Sequence, residues 1–213
     1  MKLEGIHHIT AITGDAPRNV DFYARVLGLR LVKKTVNQDD PTVYHLFYAD
    51  EKGSPGADLT FFEYPGIERG HAGAGMAHRI TWRVASKEAL KFWEERLRRE
   101  GIEIARENGG SLHFEDPEGL GLEFRVITPG DAPLHAEHPE IPTEVALQGF
   151  DGIRAYSVHP ERSRRFLEQT LGFVPAGEEA FEARGERRGS FYAYDRTTLR
   201  GTGGAGTVHH VAW

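Results

Sequence analysis

The sequence predicts an α+β fold built from repeated βαβββ units, with curved mixed sheets forming cups and helices on the outside. Three observations carry this reading. A β-branched strand pattern followed by an amphipathic helix recurs at regular intervals. Each helix pattern is stopped by a glycine, Gly28, Gly101 or Gly172, lying 20, 22 and 20 residues after the aligned strand positions His8, Arg79 and Gly152. The last eight residues, Gly206-Thr-Val-His-His-Val-Ala-Trp213, restate the opening Gly5-Ile-His-His-Ile-Thr-Ala-Ile-Thr13. Internal repetition fixes architecture before any local assignment, because each small unit needs neighbours to bury its sheet.

The elements follow in order. Residues 5–13 are short, β-branched and near-alternating, which predicts a strand. Asp15-Ala-Pro17 is a helix start, with Val20, Tyr23 and Leu27 on one face of the helix and Gly28 as its stop. Strand-like runs at 29–36, 42–49 and 58–64 complete the first unit, the last two parted by Lys52-Gly-Ser-Pro-Gly56. The second unit repeats this with a strand at 78–84, Ser86 as helix cap, Leu90, Trp93 and Leu97 as the apolar stripe, and strands at 102–106, 111–115 and 120–127. A stretch rich in Pro, His and Glu follows. The third unit opens at 149–156 and carries a helix at 160–171, but its strand region, 178–195, is charged and Gly-punctuated. Its interval from Gly152 to His210 is 58 residues, against 71 and 73 for the two before it, which suggests a deleted strand. The expected organisation is therefore unit 1 at 1–67, unit 2 at 75–128, a linker at 129–146, a degenerate unit 3 at 147–205, and the first strand of a fourth, cut-off unit at 206–213.

The 213 residues include no Cys, which excludes disulfides and thiolate metal sites, and 27% are charged with a formal net charge of -6. A mildly acidic chain does not favour nucleic acid. No run nears the ~18 apolar residues of a membrane span, and no signal core opens the chain, so the expectation is a soluble cytoplasmic protein.

Among 11 His, four form two adjacent pairs at repeat-equivalent positions, His7-His8 and His209-His210. Alternation puts His8 on one face of its strand and His7 on the other. If the first and fourth units pair about a pseudo-twofold axis, His8 and His210 meet, and two neutral imidazoles suit a divalent transition metal. A carboxylate would complete a facial triad. Glu123 and Glu63 are the candidates, although a solvated or Arg-paired Glu123 fits its unit better. Phe47, Phe61, Phe62 and Trp82 are candidate walls for a dry cup. His45 and His113 sit in strands and could line a pocket.

The repeat, the His-His strand starts and Asp116-Pro-Glu-Gly-Leu-Gly-Leu-Glu123 resemble the vicinal oxygen chelate superfamily of glyoxalases, bleomycin-resistance proteins and extradiol dioxygenases. Segments 5–15, Val20-Asp-Phe-Tyr23, 27–33, 44–51 and 204–213 are similar to its bacterial hydroquinone-type ring-cleaving dioxygenases. That resemblance implies a mononuclear Fe(II) enzyme, with Mn(II) or Zn(II) as alternative metals, which opens hydroquinone- or catechol-like rings with O2. It assigns metal ligation to His8 and His210 and a catalytic place near the substrate to His7. The family's ligand Glu, in the fourth unit's last strand, has no counterpart here. The implied partners are a small aromatic substrate and O2, with neither nucleic acid nor membrane. Two chains could associate as a homo-oligomer to complete the sheet. The alternatives are a glyoxalase-like metal-dependent lyase or isomerase, and a non-catalytic small-molecule-binding fragment of the same fold.

Overall fold

A computed structural model describes residues 3–107, 110–127 and 130–213. The junction at 128–129, between the expected second unit and linker, lies outside the described residues. The architecture is α+β with two mixed sheets. The first is five-stranded, in the order β13-β1-β4-β3-β2, and is formed by β1 (His8–Thr13), β2 (Arg30–Val36), β3 (Tyr44–Ala49), β4 (Asp58–Glu63) and β13 (Val208–Ala212). The second is eight-stranded. Its first half holds β5 (Ala77–Val84), β6 (Ala105–Glu107), β7 (Ser111–Glu115) and β8 (Gly121–Val126). Its second half holds β9 (Phe150–Ser157), β10 (Val174–Pro175), β11 (Ala180–Arg184) and β12 (Gly189–Arg196). The order is β10-β11-β12-β9-β5-β8-β7-β6, so the halves join through an antiparallel β5–β9 pair.

Among the described residues three α-helices lie between strands: α1 (Ala16–Val20), α2 (Lys87–Arg99) and α3 (Glu161–Arg165). The Asp15 side chain accepts the Arg18 N–H at the start of α1, and Ser86 accepts the Ala89 N–H at the start of α2. Both satisfy amides that a helix start leaves orphaned. Helices α1 and α3 widen into π-type turns, at Asp21–Val26 and Phe166–Thr170. All three glycine stops have positive φ, +70°, +75° and +73°, a conformation that excludes most side chains.

Helix stripes and one sheet face make the core. Tyr23, Leu27, Trp93 and Leu97 are buried against Ile9, Leu46, Leu59 and Phe61 of the first sheet and Ile80, Trp82, Leu122 and Phe124 of the second. Each such side chain contributes roughly 1.5–3 kcal/mol on leaving water. The Trp93 indole N–H donates to the Val145 carbonyl at 2.7 Å, tying α2 to the segment before β9. Arg83 binds that segment too, pairing with Asp131 at 2.6 Å and with Asp151 of β9 at 3.1 Å.

The third unit departs from expectation. It lacks no strand. Along β11, Phe181 and Ala183 point inward while Glu182 and Arg184 face outward, so its charge marks a one-sided strand. The shortened interval falls in the connections and in β10, which has 2 residues against 7 in β2.

Candidate metal and substrate site

Strand alternation sends Ile9, Ala11, Leu59 and Phe61 to the core and turns His8, Thr10, Asp58, Thr60 and Phe62 to the opposite face. Strand β13 joins β1 antiparallel, with Thr10 opposite His210 and a bulge beside it. The two terminal strands are thus neighbours within one sheet. A bulge re-aims side chains, and here His209 as well as His210 reaches the same face, where the His209 ring meets Phe62 edge-on at 5.4 Å.

The structure brings His8 and His210 together, with their Nε2 atoms 3.1 Å apart. Two cis ligands each ~2.1 Å from one ion would stand about 3.0 Å apart, so this pair fits a shared divalent cation. On the far side of each ring, Nδ1 is engaged by the neighbouring histidine. His7 Nδ1 lies 3.0 Å from His8 Nδ1, and His209 Nδ1 lies 2.8 Å from His210 Nδ1. An Nδ1–H donated by His8 and by His210 satisfies both contacts and leaves each Nε2 lone pair facing its counterpart. This is how a second ring nitrogen orients a ligand imidazole.

Burial, followed by the fields of His210 and His7, lowers the pKa of His8, while burial and His209 lower that of His210. Both are therefore held toward the neutral form that ligates metals. Thr10 is fully buried, and its hydroxyl lies 3.1 Å from His210 Nε2 and 2.8 Å from the Thr60 hydroxyl.

The surrounding wall is aromatic. The His45 ring packs between Phe47 at 4.0 Å and Phe62 at 4.4 Å, and burial pulls its pKa down to about 4. His45 Nε2 and Asp58 Oδ1 are buried polar atoms without a hydrogen-bond partner. Burial also raises the Asp58 carboxyl to about 6, against an opposing contribution from His7. Orphaned polar atoms are rare in folded proteins, and two facing one site mark it as built for a polar occupant. Sequence reasoning gave His45 little weight and missed Asp58 and His209. The register of β4 against β1 would have exposed Asp58.

Other candidates are placed elsewhere. Phe61 and Trp82 are fully buried in the core and line no cup. Glu63 accepts the Ala16 N–H at 2.9 Å, acting as an anchor for α1. Glu123 lies on the second sheet, buried, taking a hydrogen bond from Thr81 at 3.1 Å with His113 at 3.4 Å; among the described residues no Arg pairs with it. Among the described residues no cluster of three His, Asp or Glu side chains is arranged to hold a metal. A groove of about 1230 Å³ runs along the second sheet and includes neither His8 nor His210.

A mixed-sheet scaffold with paired strand-borne imidazoles defines a class, and residues 5–124 match the Glyoxalase/Bleomycin resistance protein/Dioxygenase superfamily. The chain belongs to that superfamily. It is 41% identical to a Bacillus subtilis protein named putative ring-cleaving dioxygenase MhqO, over all of this chain and 70% of that protein. Identity is 33% to the chlorohydroquinone/hydroquinone 1,2-dioxygenase of Sphingobium indicum, again over all of this chain and 70% of the relative. A crystal structure of a B. subtilis protein named putative dioxygenase superposes with a TM-score of 0.91 at 39% identity, covering 100% of this chain and 70% of that one. Glyoxalase I of Zea mays shares the fold at a TM-score of 0.62 and 17% identity, over 97% of this chain and 73% of the other. No helix among the described residues is long and apolar enough to cross a membrane.

Proposed function

We propose that the histidine face of the first sheet is the active site of a dioxygenase that opens hydroquinone- or catechol-like rings with O2. In this reading a single Fe(II) is held by His8 and His210. The observation that carries it is the 3.1 Å approach of two Nε2 atoms, 202 residues apart, on rings whose other nitrogens are already engaged. The similarity to proteins named ring-cleaving dioxygenases supports the substrate class.

Ferrous iron supplies Lewis acidity toward a phenolic oxygen and a path for electrons between ring and O2. The chain's own residues do the rest. His8 and His210 offer neutral donors, and Thr10 and Thr60 fix the floor between them. Phe47, His45 and Phe62 form an aromatic wall against which a planar ring would lie, with His45 kept uncharged by burial. His7, beside His8 and in the field of Asp58, accepts the His8 Nδ1–H and so holds the His8 ring with its Nε2 toward His210. Excluding water from this face strengthens each of these interactions.

The test is anaerobic Fe(II) loading followed by oxygen-electrode measurement with hydroquinone. Uptake that depends on iron and disappears in His8→Ala is the expected result. Uptake unchanged in His8→Ala, or substrate conversion without oxygen consumption, would overturn the assignment.

A further inference from the structure

The second sheet repeats the scaffold of the histidine face with different chemistry. In the first sheet Thr10 is opposite both Thr60 and His210; in the second, Thr81 is opposite both Glu123 and Gly152. Counting from these anchors, Arg79 stands where His8 does and Gly152 where His210 does. A second imidazole has no room here, because a Cβ on Gly152 would lie 2.3 Å from the Phe191 ring. A guanidinium thus occupies the place that in the first sheet belongs to a metal ligand.

The Arg79 guanidinium makes no hydrogen bond or ion pair among the described residues. Directly opposite it on β9 is Arg154. Like charges facing each other across strands repel. Arg154 is compensated by Asp195, with Nε at 2.8 Å from the carboxylate. The same carboxylate binds His78 Nε2 at 2.8 Å, and the His78 ring lies flat on Tyr156, 3.8 Å away at 11°. Arg79, His78 and Tyr156 all open into the 1230 Å³ groove. An uncompensated planar fork beside a flat aromatic stack is a recognition pattern: the fork binds a carboxylate through two parallel hydrogen bonds, and the stack extends under a ring. Glu100 and Glu115 also line the groove but are paired there with Arg25 and Arg69, so the wall beyond Arg79 is largely self-compensated and one carboxylate suffices to balance Arg79.

We propose that this groove binds a small aromatic monocarboxylate, its carboxylate on Arg79 and its ring along the His78–Tyr156 stack. The site is separate from the histidine face and does not depend on its metal.

Benzoate is the probe, titrated into the full chain by calorimetry and by saturation-transfer NMR, with inorganic phosphate in parallel. Millimolar or tighter benzoate binding is expected, weakened about tenfold or more in Arg79→Gln, which forgoes roughly 1.4 kcal/mol per decade. Arg79→Lys should keep the charge, lose the fork and fall between. His8→Ala/His210→Ala should bind benzoate as the parent does. The proposal fails if Arg79→Gln binds benzoate undiminished, if phosphate binds as tightly as benzoate, if the double histidine variant loses binding, or if none is seen at ~10 mM. Because the Arg79 guanidinium makes no hydrogen bond or ion pair among the described residues, unchanged thermal unfolding of its variants separates lost binding from lost folding.

Discussion

Replacing Tyr23 by Phe removes one oxygen atom from a buried contact that joins the first unit to the second. The Tyr23 hydroxyl donates to Asp116 Oδ2 at 2.9 Å; Tyr23 is 0% and Asp116 5% exposed. The other carboxylate oxygen is already served by the Glu118 and Leu120 amides. Without the hydroxyl, Oδ2 is left desolvated, which costs about 2–3 kcal/mol for a bond to a charged acceptor. For a chain of this size that lowers Tm by about 5–10 °C.

The pH dependence of this loss has a definite sign. Burial is the leading cause that raises the Asp116 carboxyl to about 6, and the amides and the Tyr23 hydroxyl partly counter it. Between the ordinary carboxylate range and about 6, the folded chain retains a proton that the unfolded chain has shed, so this group's contribution falls as pH rises through that window. Above it the ionised form leans on Tyr23. The Phe variant should therefore lose the full amount near pH 8 and roughly half as much near pH 5, read from urea midpoints at a common slope. A loss below about 0.5 kcal/mol, or one larger at pH 5 than at pH 8, would refute the reasoning.

Arg83→Met leaves Asp131 to Arg184 alone and leaves the buried Asp151 carboxylate only Arg125 at 3.9 Å, and should cost about 3 kcal/mol by chemical denaturation. Adding Asp151→Asn should recover part of it. Gly152→Ala forces Phe191 to move and should cost roughly 1–3 kcal/mol, with a Gly152→Ala/Phe191→Leu pair losing less than the sum. His8→Ala and His210→Ala should each reduce iron retained after anaerobic loading by roughly tenfold or more, measured by elemental analysis, with thermal unfolding of the metal-free chain little changed.

Much of this architecture could be read from the residues. Caps at Asp15 and Ser86 and stops at Gly28, Gly101 and Gly172 are local signals, and local signals survive folding intact. The kinship of the two His-His strands was visible because repetition does not depend on tertiary context. Facing was harder. Phe61 and Phe62 are adjacent and chemically alike, yet one belongs to the core and the other to the site, and only strand register separates them. His209 reaches the site through a bulge that no residue announces. Asp58 gained its place from a parallel neighbour 50 residues away in sequence, opposite His8. The charge of β11 was misread because its outward residues dominate composition while Phe181 and Ala183 carry the packing.

The His8–His210 contact spans 202 positions. Every other element of the chain lies inside that loop, so the two rings can meet only after the termini have been drawn together. Contacts of such long sequence separation bear a large closure entropy and form late. Capture of a metal ion at this point would accordingly report completed assembly, and a half-folded chain would offer an ion only one of the two facing imidazoles.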